Sequence, residues 1–544
     1  MQRGELRVSY RSSEDFTQRV IGSLTREDKG LSEKYTRKKF LKLAGLGTVG
    51  ISFAATIGCE AKGTPPKNTA SGTANVRTQT SSSATAGPQS VQTFRSRPDL
   101  RPPVIEVTTP ARGAAAGNGY VLVAAKNGVG GEEHPSQDGP MIVDEQGRPV
   151  WLHPLSREEE DAMEFRAQRY RGKPVLTWWE GVHGGWGQGE YIIFDSSYRE
   201  IARFGAGNGY AGDHHEFLIT DRDTALILIY NETSADLSRM GGEVDGAVMD
   251  SIVQEIDIET GEVLFEWHSL DHVGLEESYA NLSIDYSGSF DYFHINSIDV
   301  DDDDNLLLSA RKTSAVYKIN RETGEVIWRL DGKKSDFEME PGSRTAYQHD
   351  ALRQPDGTVT IFDNGEPGVY EQSYGRVLSL DTDNLTANLV REYYHPDKIF
   401  GETQGNMQVL DNGNVFIGWG SEPSFSEFGG DGQLLYSASL PPNAESYRAY
   451  RSPWTGRPDE KPAIAVDAGE GEEATVYASW NGATEVADWQ VLAGPSSDRL
   501  KPVGSVAREG FETAIVVNTT EPYVAVQGRD SSNEVLGVSE MIRL

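Results

Sequence analysis

The sequence predicts an all-β protein, a six-bladed β-propeller followed by a fibronectin type III-like β-sandwich, and three observations support this. The composition is turn-rich, with 58 Gly and 25 Pro beside 37% apolar and 9% aromatic residues. A unit made of an alternating strand, a tight polar turn and a second strand returns six times: "IVDEQGRPVWLH" (142–153), "IFDSSYREIARF" (193–204), "IDIETGEVLFEW" (256–267), "INRETGEVIWRL" (319–330), "SLDTDNLTANLVREY" (379–393) and "FGGDGQLLYSAS" (428–439). Its turn residues Gly147, Tyr198, Gly261, Gly324, Asn384 and Gly432 are spaced by 51, 63, 63, 60 and 48 residues, room for four short strands and their loops per unit.

The repeats occupy residues 104–455 of a 544-residue chain, and what precedes them is of another kind. In "YTRKKFLKLAGLGTVGISFAATIGCEAKG" the basic cluster Arg37, Lys38, Lys39 leads into an apolar run too short and too rich in small residues to span a membrane comfortably. Residues 1–59 therefore read as an export signal. "TRKKFLK" resembles a twin-arginine signal with Lys38 in place of the second arginine, and "TIGC" resembles a lipobox ending on Cys59, the only cysteine. The expected location is extracytoplasmic, with a lipid on Cys59 anchoring the protein to the outer face of the membrane. Residues 60–103, rich in Thr, Ser, Ala, Gly and Pro, bury too little surface to offset their ordering entropy and are expected to form a disordered tether.

A formal charge of −33 repels polyanions, since nucleic-acid binding relies on Lys and Arg at phosphates, so no nucleic-acid partner is expected. An anionic small substrate would need a local cationic pocket. A single cysteine excludes intramolecular disulfides and multi-Cys zinc sites. "HHEF" lacks the second histidine of HExxH, and there is no GxxxxGK[ST] loop, so neither a metal nor a nucleotide cofactor is expected. "DVDDDDN" (299–305) lacks the glycine and the final glutamate of an EF-hand and reads as a hairpin turn.

A second pattern marks the start of four successive blades. "HEFLITDRDTALILIY" opens at His215, "HINSIDVDDDDNLLLSAR" at His294, "HDALRQPDGTVTIFDN" at His349 and "QGNMQVLDNGNVFIGWG" at Gln404. First strands line a propeller's channel, so their starts converge at one mouth, and the end of the antiparallel second strand returns beside them. Arg311 is thereby expected near His294, with Asn296 on the same face two residues along. The constellation is His215, His294, His349, Arg311 and Asn296, with Gln404 at its edge; His214, beside His215, remains an alternative. Trp178, Trp179, Trp186 and Trp419 are candidates for an apolar wall.

These residues are where the chain resembles the arylsulfotransferase family, most clearly in "DYFHINSID", "LLLSARKTSAVYKINRETGEVIWRLDGK", "YQHDA", "TIFDNG" and "QGNMQVLDNGN". The resemblance implies transfer of a sulfuryl group from a phenolic sulfate ester to a phenol without a nucleotide donor. It further implies that His349 accepts the group covalently as a sulfo-histidine, supported by His215, His294 and Arg311. The alternative is a catalytically inactive, surface-anchored propeller that binds an anionic or aromatic ligand.

After "YRSPWTGRPDEKP" the spacing changes, and residues 456–544 hold seven short strands. Trp480, "DWQVL" and "YVAVQ" resemble a fibronectin type III sandwich, with an aromatic core and no disulfide.

Overall fold

The computed structural model describes residues 77–78, 90–111, 116–128, 134–157, 160–282 and 288–544, which fall within one compact unit, Gly72–Leu544. The expected export signal, residues 1–59 with Cys59, lies outside the described residues. Among the described residues no helix is long and apolar enough to cross a membrane.

The fold is all-β and almost wholly antiparallel. Six sheets share one plan of four strands, sequential in all but the first. The second is Asp161–Tyr170, Lys173–His183, Gly187–Phe194 and Glu200–Phe204. The third is Phe217–Ile219, Thr224–Ala235, Gly246–Asp257 and Val263–His268. The fourth is Ile295–Val300, Leu306–Ala310, Ala315–Ile319 and Val326–Asp331. The fifth is His349–Arg353, Val359–Asp363, Tyr374–Asp381 and Thr386–Tyr393. The sixth is Asn406–Val409, Val415–Gly418, Ser424–Phe428 and Leu434–Ser439, with Glu106–Thr109 added at its outer edge. The first sheet holds Tyr120–Asn127, Gly139–Val143 and Pro149–Leu152, and takes its inner strand, Ala449–Ser452, from the far end of the repeats.

The turns explain the repeat. Gly147, Tyr198, Gly261, Gly324 and Gly432 all have positive φ, from 61° to 87°, each between the third and fourth strands of its sheet. In the fifth sheet the left-handed residue is Leu385 at 52°, one place beyond the expected Asn384. A non-glycine residue pays for that conformation with about 1 kcal/mol or more, so Tyr198 and Leu385 are held there by the strands around them.

Adjacent sheets pack face to face. Leu306, Leu308 and Ala310 join a core with the third sheet, while Leu307, on the opposite face of the same strand, joins a core with the fifth. A strand covered on both sides is apolar without alternation. At the inner edges every neighbouring pair of sheets shares a hydrogen bond. Ile219 N–H donates to Gln168 Oε1 at 2.8 Å, Ile298 N–H to Glu216 Oε2 at 3.4 Å and Ala351 N–H to Ser297 Oγ at 3.1 Å. Met407 N–H donates to Asp350 Oδ2 at 2.9 Å, Ala449 N–H to Asn406 Oδ1 at 3.0 Å and the Tyr450 hydroxyl to Glu164 Oε1 at 2.8 Å.

The C-terminal strands form two sheets, one of Ala463–Ala468, Glu473–Ser479 and Glu512–Asn518, the other of Asp488–Gly494, Lys501–Ala507, Tyr523–Arg529 and Val535–Val538. Trp480 and Trp489 fill their common core with Val476, Val491, Ile515 and Val526. This sandwich meets the first two sheets through Asn481, which exchanges two hydrogen bonds with Leu152, and Gly482, whose carbonyl accepts from the Tyr198 hydroxyl at 2.8 Å.

Residues 90–103, expected to belong to a disordered tether, are instead packed. Ser96 N–H donates to Glu512 Oε2 at 2.6 Å, Phe94 meets Phe511 at 4.4 Å between ring centroids, and Leu100 is buried. Residues 77–78 add a short strand beside Ile515 and Val516. Composition missed this because two apolar residues, Phe94 and Leu100, and a few hydrogen bonds dock an otherwise polar segment on a core formed elsewhere in the chain.

Candidate active site

In five sheets a residue at or before the start of the inner strand meets a residue of the second strand or of its end. Asp161 meets His183 Nδ1 at 2.9 Å, and Glu445 ion-pairs with the buried Lys126. His215 meets Tyr230 at 5.3 Å between centroids, and His349 Nδ1 meets Asn364 Oδ1 at 2.7 Å. In the fourth sheet Arg311 N–H donates to the His294 carbonyl at 2.9 Å, the adjacency the hairpin predicts.

His215 and His294 lie 5.1 Å apart with rings nearly perpendicular, and Tyr230 touches both. His214 stacks on the far side of His215 at 4.1 Å and reaches toward His183, so His215 is the member of the pair that meets His294. The three inner histidines differ in what stands behind them. His215 Nδ1 lies 2.5 Å from Asp213 Oδ1, and His294 Nδ1 lies 2.5 Å from Asp291 Oδ2. His349 has a neutral amide. A carboxylate stabilises an imidazolium; an amide orients the ring without adding charge.

The electrostatics follow. Burial holds His349 well below the ordinary imidazole range, the Arg311 charge adds to this, and the Asn364 hydrogen bond opposes it. Burial also lowers His294, against the pull of Asp291. Desolvation lowers Arg311 too, but a guanidinium stays charged at any physiological pH. Arg311 lies 4.9 Å over the Tyr347 ring and donates to the Glu402 carbonyl at 3.2 Å, while its buried Nε has no protein partner.

His294 has φ of 55°, and strand pairing shifts between Ile295 and Ser297. The Asn296 amide donates to the Gln348 carbonyl at 2.8 Å, one residue before His349, while its Oδ1 has no protein partner. Gln404 donates to Glu445 at 2.8 Å and also leaves its amide oxygen unpaired. Of the four tryptophans, Trp178, Trp179 and Trp419 are fully buried in packing. Only Trp186 is partly open, parallel to Tyr230 at 6.3 Å.

The sequence reading missed Asp213, Asp291, Tyr230, Tyr347, Asn364 and Tyr447, the last standing edge-on to His215 at 5.7 Å between ring centroids. Asp213 and Asp291 stood two and three residues before their histidines and could have been paired with them. Asp213, His214 and His215 bring ligand-type atoms within 4.8 Å of one another, but both Asp213 oxygens are taken, by His215 and by the Gly187 N–H.

The acidic turn is a clamp. Asp301 binds Arg353 at 2.6 Å and Lys318 at 2.7 Å, and Asp304 binds Arg321 at 2.7 Å. Its carboxylates are matched by cations from the protein itself.

His215 and His349 are buried, His294 nearly so, and Arg311, His215 and His294 each act electrostatically on His349, so three imidazoles and a guanidinium gather in one place. A family model described as arylsulfotransferase (ASST) matches residues 166–440, half of the chain, and the protein belongs to the arylsulfotransferase family. Arylsulfotransferase-type activity on phenolic substrates is what that family carries. No curated protein matches the chain. Among solved structures, a protein of unknown function from Bacteroides caccae is 12% identical with a TM-score of 0.37, covering 61% of this chain and 98% of its own. A catalytically inactive virginiamycin B lyase from Staphylococcus aureus, with quinupristin, is 7% identical with a TM-score of 0.33, covering 76% and 100%.

Proposed function

We propose that the protein is an exported aryl sulfotransferase that moves a sulfuryl group from a phenolic sulfate ester to a phenol by double displacement through a sulfo-histidine at His349. The observation that supports it best is the difference in partners: an amide behind His349, carboxylates behind His215 and His294. The six sheets are read as the blades of a closed propeller, supported by the inner-edge hydrogen bonds that link each to the next and by the strand Ala449–Ser452 completing the first. The C-terminal sandwich is read as fibronectin type III-like. Export and a lipid on Cys59 rest on residues 37–59 alone.

In the first step the Nε2 lone pair of His349 attacks sulfur and forms an N–S bond as the aryl O–S bond breaks. The bonding pair leaves on the phenolate oxygen, which takes a proton from the imidazolium of His215 or His294. In the second step the acceptor's phenol oxygen attacks sulfur, the N–S pair returns to Nε2, and the same imidazole takes the phenol proton. A loose transition state of this kind gathers charge on its equatorial oxygens, where Arg311 supplies fixed charge and directed donors. Trp186 and Tyr230 offer flat surfaces to the aryl ring.

Purified protein given 4-nitrophenyl sulfate and a phenol acceptor tests the reading. Nitrophenol release is expected to be lost in His349→Ala and kept in His272→Ala; undiminished release from His349→Ala would remove His349 as the nucleophile, and no release from the wild type would leave the inactive, ligand-binding propeller as the better account.

A further inference from the structure

We propose that Asn364 is a positioning residue that fixes the tautomer of His349, keeping the proton on Nδ1 and the lone pair on Nε2; this rests on His349 being the nucleophile. Three hydrogen bonds carry the inference. The Asn364 side-chain nitrogen donates to the Gly401 carbonyl at 2.8 Å and to the Gln404 carbonyl at 2.9 Å. Two acceptors face that end of the amide, so rotating it by half a turn would set three oxygens against one another with no proton between them. The amide oxygen must therefore point at His349 Nδ1, 2.7 Å away. An amide oxygen only accepts, so Nδ1 must donate.

The anchor is rigid. Asn364 is fully buried and His349 nearly so. The Ser373 hydroxyl donates to the Asn364 carbonyl at 2.8 Å, and the Gly401 N–H donates to that same hydroxyl oxygen at 3.0 Å. These bonds hold the loop carrying Gly401 and Gln404 against the end of the strand Val359–Asp363. The sixth sheet thus sets the orientation of an amide on the fifth, and the amide sets the ring.

The choice of amide over carboxylate matters chemically. An aspartate at 364 would accept the same Nδ1 proton but would stabilise the imidazolium, and a protonated Nε2 has no lone pair to offer sulfur. The two histidines proposed to pass a proton have carboxylates behind Nδ1, whereas the proposed nucleophile has an amide.

The test has two arms. In the full-length wild type labelled with 15N-histidine, the His349 resonances, assigned by their loss in His349→Gln, are expected to show a protonated Nδ1 and an unprotonated Nε2. A protonated Nε2 would overturn the assignment whatever the enzyme does. In Asn364→Asp the acid limb of kcat for 4-nitrophenyl sulfate is expected to move up by about 1 to 3 pH units; an unmoved limb would overturn it. Should Asn364→Asp fail to fold, the wild-type tautomer decides alone. An Nδ1-protonated His349 that never acquires a sulfuryl group would keep the positioning role and overturn the sulfo-histidine instead.

Discussion

His294 and Arg311 sit across the mouth of one hairpin, joined by the hydrogen bond from the Arg311 N–H to the His294 carbonyl at 2.9 Å. One backbone contact thus fixes an imidazole and a permanent cation relative to each other. The Arg311 side chain is further confined by Tyr347 and Glu402, leaving its Nε unclaimed by protein.

Arg311→Lys is expected to lower kcat by about 10²- to 10³-fold, the usual cost of losing a donor aimed at transition-state charge. A lysine keeps the charge but loses the planar fork. Steady-state kinetics with 4-nitrophenyl sulfate measure this, and a variant near wild-type rate would remove Arg311 from the oxyanion site.

Trp186→Ala is expected to raise KM for aryl donors about 3- to 10-fold while changing kcat less, because stacking on the ring serves ground state and transition state alike. Comparing mono- and bicyclic aryl sulfates reads this out. The effect should grow with ring area.

At the centre of the inner edges Arg448 is fully buried, 3.0 Å from Glu164, 3.1 Å from Glu216 and 3.5 Å from Asp350. Arg448→Leu would strand buried carboxylates and is expected to cost about 3 to 5 kcal/mol in urea unfolding. Burial raises Glu164 to about 7, against the pull of Arg448, from an ordinary 4.5. A folded pKa above the unfolded one contributes stability that is full below pH 4.5 and lost as pH rises through about 7. Wild-type stability minus that of Glu164→Gln should therefore fall across this window; a flat difference would contradict the shift.

Asp301→Asn is expected to cost about 1 to 3 kcal/mol, since it weakens the hold on Arg353 and Lys318 together. Calcium is expected to leave Tm unchanged. A calcium-dependent rise would reinstate the metal-loop reading of residues 299–305.

The sequence disclosed the repeat because left-handed turns demand particular residues: four of the six marker positions are glycines with positive φ. Asn384 slipped by one because Leu385 carries no turn signature, the conformation there being imposed by the strands on either side. His215, His294 and His349 were legible because they open strands. Their partners were not: Tyr230 lies inside an apolar strand, Asn364 is placed by strand register, and Tyr447 reaches the site beside a strand borrowed from the end of the repeats.

The most direct measurement is mass spectrometry of wild type and His349→Ala after brief exposure to 4-nitrophenyl sulfate without an acceptor. The expected result is a sulfuryl adduct on the wild-type peptide containing His349, discharged by added phenol and absent from the variant. An adduct on another residue, or steady nitrophenol release from His349→Ala, would contradict it.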